Sequence, residues 1–348
     1  MSMVSHQFSH VIGVDTHAKT HTLVVLDHLG ARHGAAQAFP TTVPGLKRAH
    51  AWIARETTGP ILVAMEGTGS YGAQFCDHLT AAGVRVTETK PPKHGVRRSG
   101  KTDAIDAEHA ARFALGLTMN QLITPRNHSG SQSALTVLLM ARRALTTART
   151  ATNNSLTALL RGYGLGIDAR NALTLDQVRE VASWRARPSD DIGLATIRAE
   201  AVREAVDVLH RDAELNANRK GLRQHVLVLA PQLFDEYGIG DVVAAQILVS
   251  WSHPGRIRSE ASFARFAGIA PIPASSGNTV RYRLDRGGDR ALNSAIWTTA
   301  FQRYHHDPRT AAYVVKKTNE GKTPKEIQRL LKRYIIRHLF RVLESNAT

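Results

Sequence analysis

Two carboxylates, Asp103 and Asp106, stand three residues apart behind Thr102 in the stretch Ser99 to Phe113. Thr102 reads as a helix N-cap and the Ala-rich run after it as the helix, so both acids share one face at its electropositive end. One reading is ordinary helix-start chemistry, because Asp is favoured in any first turn. The other is half of a metal site, which needs further carboxylates. Asp15 ends the β-branched run from His10, and Glu66 ends the apolar run from Pro60, so each closes an expected strand. Four ionised carboxylates brought together repel too strongly to coexist unless cations neutralise them. Oxygen ligands with no His or Cys partner select Mg²⁺ or Mn²⁺, and two such ions could clamp the attacking and leaving oxygens of a phosphodiester. Taken alone, Asp15 also reads as a strand-end turn residue.

The elements that must position these acids follow in order. Strands are expected at residues 10–15, 19–27 and, more weakly, 32–39, then a helix through Ala54, a buried strand at 60–66, a helix at 71–82 and a strand at 84–89. A meander followed by alternating helix and strand predicts a mixed sheet flanked by helices. With the first strand central and the fourth parallel beside it, Asp15 and Glu66 enter one crevice at the carboxyl ends, where open α/β sheets place ligands. Gly67-Thr68-Gly69-Ser70-Tyr71-Gly72 also matches a dinucleotide fingerprint, with Glu88 roughly where a ribose-binding acid would lie. Against it, Glu66 would set a negative charge beside the pyrophosphate.

The net charge of +16 draws the chain to polyanions, and with no run of about 18 apolar residues the expected polyanion is nucleic acid rather than a membrane. The N-terminal residues lack the pattern of a signal peptide, and a single cysteine, Cys76, excludes an internal disulfide. Cys76 reads as core packing, and the expected location is the cytoplasm. Arg97, Arg98 and Lys101, after the Pro91-Pro92 break, are candidate nucleic-acid contacts.

Residues 129–133 read as a polar linker, followed by a helix from Ala134 to Leu160, a Gly-rich break at 162–166, and a second helical tract from Leu194 to Leu229 with Leu215, Leu222 and Leu229 along one apolar edge. Two long helices with a break between them predict an antiparallel hairpin, either a spacer or dimerisation arm or a basic arm on nucleic acid. Gly238-Ile239-Gly240 ahead of a helix has the look of a helix-hairpin-helix element, whose amides can hold a DNA phosphate; a plain packing joint is the alternative. Farther on, Ser275-Ser276-Gly277 precedes Arg281, Arg283, Arg286 and Arg290, a hydroxyl among phosphate-binding groups, though such a stretch is also an ordinary basic turn. A basic helical tail from Pro308 to Val342 ends the expected nucleic-acid surface.

Ile12-Gly13-Val14-Asp15, Met65-Glu66-Gly67-Thr68-Gly69 and Lys101-Thr102-Asp103-Ala104-Ile105-Asp106-Ala107, with the Ser-Gly and Arg-Gly-Gly-Asp-Arg stretches, resemble the DEDD transposases of the insertion-sequence one-hundred-and-ten family over roughly two-thirds of the chain. The resemblance implies an RNase H-like domain of the Holliday-junction-resolvase type at 1–128 and a transposase domain at 231–348, expected to be mainly α, with the helical hairpin read from the sequence at 129–230 between them. It implies that Asp15, Glu66, Asp103 and Asp106 hold the metal and that Ser276, or Ser275 if the register slips by one, attacks DNA to form a covalent link. It further implies donor and target DNA, a structured guide RNA, and a dimer or tetramer whose active site is shared between subunits. A resolvase-like nuclease using only the acids and water, and a non-catalytic nucleic-acid-binding protein, are the competing functions.

Overall fold

The computed structural model describes residues 2–89, 102–126, 128–273, 282, 283, 285 and 287–345. The chain divides into two compact units, 1–128 and 129–348. In the first, β1 (His10–Thr16), β2 (Thr20–Asp27) and β3 (Arg32–Pro40) form an antiparallel meander; α1 (Val43–Glu56), β4 (Ile61–Met65), α2 (Ala73–Ala81), β5 (Arg85–Glu88) and α3 (Asp103–Leu115) follow. The sheet order is β3-β2-β1-β4-β5, with β4 parallel to β1 and β5 parallel to β4. This is the expected mixed sheet with β1 at its centre.

Alternation along the strands divides the core into two layers. Ile12, Val14, Val63 and Met65 pack with Leu46 and Ile53 of α1 and Phe75 and Leu79 of α2. Val11, Val24, Leu62 and Ala64 pack instead with Ala107, Ala111 and Ala114 of α3. Gly13 lies on this second face, and a Cβ there would sit 1.8 Å from the Ala107 carbonyl oxygen. The missing side chain of β1 and the small side chains of α3 therefore let helix backbone lie directly on strand backbone. That seat carries the N-terminal end of α3 toward the end of β1 that bears Asp15.

The second unit begins with α4 (Gly130–Tyr163), α5 (Leu175–Ala182) and α6 (Ile192–Leu229). α4 and α6 run antiparallel: Arg142 donates to the Leu215 carbonyl, the Arg149 Nε to Asp212 at 2.7 Å, and the Ser155 hydroxyl to Glu204 at 2.7 Å. Residues 129–133 are not a linker. Helix α4 starts at Gly130, and the buried Gln132 amide donates to the Leu248 carbonyl at 2.8 Å, which ties the start of the hairpin into the core. The apolar edge of α6 also differs from the seven-residue repeat: Leu222 is buried with Val226, whereas Leu229 is 40% exposed. The outer end has its own core of Leu156, Leu160, Val178, Ala205 and Val208, while Leu135, Leu139, Leu222 and Val226 at the base belong to the C-terminal core.

That core is completed by α7 (Asp241–Trp251), α8 (Glu260–Phe266), the strand pair β6 (Ile272–Pro273) and β7 (Tyr282–Arg283), and then α9 (Arg290–His306), α10 (Pro308–Asn319) and α11 (Pro324–Ser345). Gly268 and Gly288 both have positive φ, and the Asp289 N–H donates to the Phe266 carbonyl at 2.7 Å. A side chain at Gly288 would meet that carbonyl at 2.4 Å, so two backbones touch where a Cβ would hold them apart.

Candidate active site

Asp15 lies near the carboxyl end of β1, and β4, paired in parallel with β1 through Val14 and Met65, ends one residue before Glu66, which is not among the acids gathered at Asp15 in the described residues. The Thr16 hydroxyl donates to the Glu66 carbonyl at 3.1 Å and holds the two strand ends together. Thr102 caps α3 as expected, its hydroxyl accepting the Ile105 N–H at 3.4 Å. Asp103 and Asp106 fall in the first helical turn.

The third partner is a residue the sequence reading passed over. His17 Nε2 lies 3.0 Å from Asp15 Oδ2 and 3.5 Å from Asp103 Oδ1. One ligand atom from each of Asp15, His17 and Asp103 lies within 4.8 Å of the others, close to the span that metal–oxygen bonds of about 2.0–2.6 Å bridge. The Asp15 carboxyl is raised above the usual carboxylate range, first by burial and then by the charges of Asp103 and Asp106, against the opposing effect of His17. Asp106 thus acts on the same carboxylate through its charge. His17 adds to the expected all-oxygen set a nitrogen that stands beside two of its acids. Its signal was the spacing: residues two apart at a strand end leave by the same face.

The donor set suits a divalent cation. Asp15 and Asp103 offer hard oxygens and His17 a nitrogen, and a cation among them would favour the ionised form of Asp15 against its burial and the neighbouring acids. The other acid near the start of α3, Glu108, is engaged elsewhere, accepting from Arg112 at 2.8 Å with Arg32 at 3.8 Å.

The glycines of the dinucleotide-like stretch have a local explanation. Gly67, at φ +61°, closes a turn in which its carbonyl accepts the N–H of Ser70 at 2.8 Å and of Gly72 at 3.1 Å. A Cβ at Gly72 would meet Met65 Sδ at 2.8 Å.

In the second unit, Gly238 has φ +79° and packs against α9, where a Cβ would meet the Thr299 carbonyl oxygen at 3.2 Å. Gly240 precedes α7 and borders open space. The Ile239 amide is bonded to the Glu236 carbonyl, a 3-10 turn (Pro231–Asp235) stands before the hairpin, and Asp241 at the start of α7 pairs with Arg223 at 3.0 Å. Arg290 opens α9 and is exposed. Arg283 lies in β7, with its side chain outside the description. Arg97, Arg98, Lys101, Ser275, Ser276, Arg281 and Arg286 lie outside the described residues. Asp289 is structural: it caps α9 through the Ala291 and Leu292 amides and accepts the Ser250 hydroxyl at 2.7 Å.

Compared with known proteins, residues 12–165 match a transposase family of the IS110 DEDD type, and residues 232–315 match the transposase IS116/IS110/IS902 family. An insertion element IS110 protein of 43.6 kDa from Streptomyces coelicolor is 33% identical over 118 residues, covering 34% of this chain and 29% of that protein. A "probable family 20 transposase" from Pseudomonas aeruginosa is 28% identical over 258 residues, 72% of this chain and 73% of the relative.

Proposed function

The chain belongs to the IS110 family of DEDD transposases, and from that premise we propose that it cuts and rejoins the DNA of an insertion sequence through a covalent serine link. The observation that carries the reading is the meeting of Asp15, His17 and Asp103, with Asp106 in the same first turn as Asp103, at the carboxyl end of the central strand. Asp15, Glu66, Asp103 and Asp106 would hold Mg²⁺ or Mn²⁺, with two ions in the full reading, which would polarise the phosphodiester and offset negative charge developing on it.

The chain's own residues supply the rest. Ser276 Oγ attacks phosphorus, an Oγ–P bond forms, and the bond from phosphorus to the 3′ oxygen breaks. The proton lost by Ser276 is balanced by one gained at the departing 3′ oxygen. A new 3′ hydroxyl then attacks the serine ester and restores the serine, so no outside energy source is needed. Arg281, Arg283, Arg286 and Arg290 would hold strand phosphates, as would Arg97, Arg98, Lys101 and the amides around Gly238 and Gly240. A guide RNA that pairs with donor and target DNA, a dimer or tetramer, and a cytoplasmic location belong to the same reading. Among the described residues no helix is long and apolar enough to cross a membrane.

The test is incubation of the protein with Mg²⁺, its flanking transcript and matching DNA, followed by peptide mapping of a protein–DNA adduct. The expected adduct lies on Ser276 and is absent in Ser276→Ala and Asp15→Asn. DNA cutting that persists in Ser276→Ala would instead identify a nuclease that uses water.

A further inference from the structure

A cavity of about 300 Å³ opens between the loop at residues 268–271, Asp285 and one face of α11. It is at the small end of ligand pockets, which run roughly 300–1,000 Å³. Glu326, Arg329, Leu330 and Arg333 recur at helical spacing and so share the face that lines it. Lys322 and Lys332 bring the cations to four, against the carboxylates of Asp285 and Glu326. Glu326 is already engaged, accepting the Thr323 N–H and hydroxyl at 2.9 Å each. Ile269, Pro271 and Leu330 add apolar wall.

Two of these cations are held partly out of water. Arg333 has a buried Nη1 with no hydrogen-bond partner. The Lys332 amine donates to Asn293 Oδ1 at 2.8 Å and is pushed toward its neutral form, first by burial and then by the charge of Arg329. A desolvated guanidinium nitrogen without an acceptor is costly unless an anion supplies one. β6 begins directly after Pro271 and β7 ends two residues before Asp285, so the cavity wall is the base of the segment that carries Ser276.

Resting on the function proposed above, we infer that this cavity takes one nucleotide of the DNA strand, its phosphate against Arg329, Lys332 and Arg333 and its sugar against Ile269, Pro271 and Leu330. These residues position the strand and take no part in bond making. A sugar-phosphate unit suits the site because the C–H faces of deoxyribose can lie against apolar wall while the phosphate meets the cations.

The test uses the full chain carrying Ser276→Ala, in EDTA, so that neither metal nor chemistry enters. Binding of a fluorescent single-stranded DNA oligonucleotide is followed by anisotropy over a series of salt concentrations. Arg329→Ala and Arg333→Ala should each weaken binding several-fold and make the slope of log affinity against log salt shallower by about 1, and Arg329→Lys should restore most of the slope. Ala270→Trp keeps every charge but fills the cavity, and it should weaken binding comparably. Arg329 is exposed, so its replacement leaves folding intact even if the other variants lose structure by circular dichroism. Unchanged affinity and slope in Arg329→Ala, or full affinity in a folded Ala270→Trp, would overturn the inference, as would an effect on RNA without one on DNA. A protein that binds no DNA at all would sink the proposed function as well, whereas normal binding indifferent to these variants sinks the cavity alone.

Discussion

Replacing Gly13 with Ala strikes the contact on which the acid cluster depends without touching an acid. The added methyl would lie 1.8 Å from the Ala107 carbonyl oxygen, 2.8 Å from its carbon and 3.0 Å from the Ala111 nitrogen, all backbone atoms that no rotamer change can move. To reach ordinary contact, which begins at 3.4 Å, α3 must withdraw by about 1.6 Å along that line. Overpacking costs about 1–3 kcal/mol, and a backbone obstacle places this variant at the upper end. For a unit of this size the melting temperature should fall by roughly 5–15 °C. Metal–ligand distances tolerate only about 0.2 Å, so the same withdrawal should lower Mn²⁺ affinity by about tenfold or more. Gly45→Ala is the control: its methyl would meet the Pro40 carbonyl oxygen at 2.1 Å, at the start of α1 on the other face of the sheet. It should destabilise comparably and leave Mn²⁺ affinity near that of the unaltered protein. The assays are thermal melting and Mn²⁺ titration by electron paramagnetic resonance. A Gly13→Ala protein that binds Mn²⁺ as well as the parent, or a Gly45→Ala protein that loses it equally, would refute the reasoning.

His17→Ala should reduce the preference for Mn²⁺ over Mg²⁺ several-fold, because an imidazole nitrogen favours transition metals over Mg²⁺; competition titrations measure the ratio, and an unchanged ratio removes His17 from the ligand set. Burial holds His21 below the usual imidazole range. As pH falls through about 6.5 the unfolded chain therefore gains a proton before the folded one does, and His21 contributes a loss of stability below that pH. His21→Phe, stacked on Phe75 as the imidazole is, should narrow the drop in melting temperature between neutral and mildly acidic buffer; an equal drop in both proteins would contradict this. Cys76 is buried and its thiol pushed up to about 11, so it should resist Ellman's reagent until the chain unfolds, and rapid native labelling would count against its place in the core.

The places of the acids along the strands and helix were legible because each carries a local signal. Asp15 and Glu66 end apolar runs that can only be buried strands, and Thr102 announces the helix that Asp103 and Asp106 open. His17 was harder to read: its spacing from Asp15 puts both on one face of the strand end, but a solitary histidine there is not marked as a ligand until α3 brings Asp103 to it. Gly13 likewise reads as a weak strand residue until a helix lies on it. Residues 129–133 look like a linker because small polar residues usually are, yet Gln132 finds a carbonyl 116 residues away in sequence. Helix α5 was missed although Thr174 and Gln177 form a capping box that marks its start. The basic tail shows the limit of charge counting: Lys317 pairs with Glu320 at 2.6 Å, and Arg337 and Arg341 both reach Glu260, so part of its charge is spent inside the protein.

Joint binding of divalent cations by acids from β1, the end of β4 and α3 is the proposal on which the chemistry rests. Crystals grown or soaked with MnCl₂ and measured at the manganese absorption edge test it most directly. An anomalous peak is expected within bonding distance of Asp15 and Asp103, lost in Asp15→Asn. A protein that binds manganese only elsewhere, or a peak that survives Asp15→Asn unchanged, would contradict it.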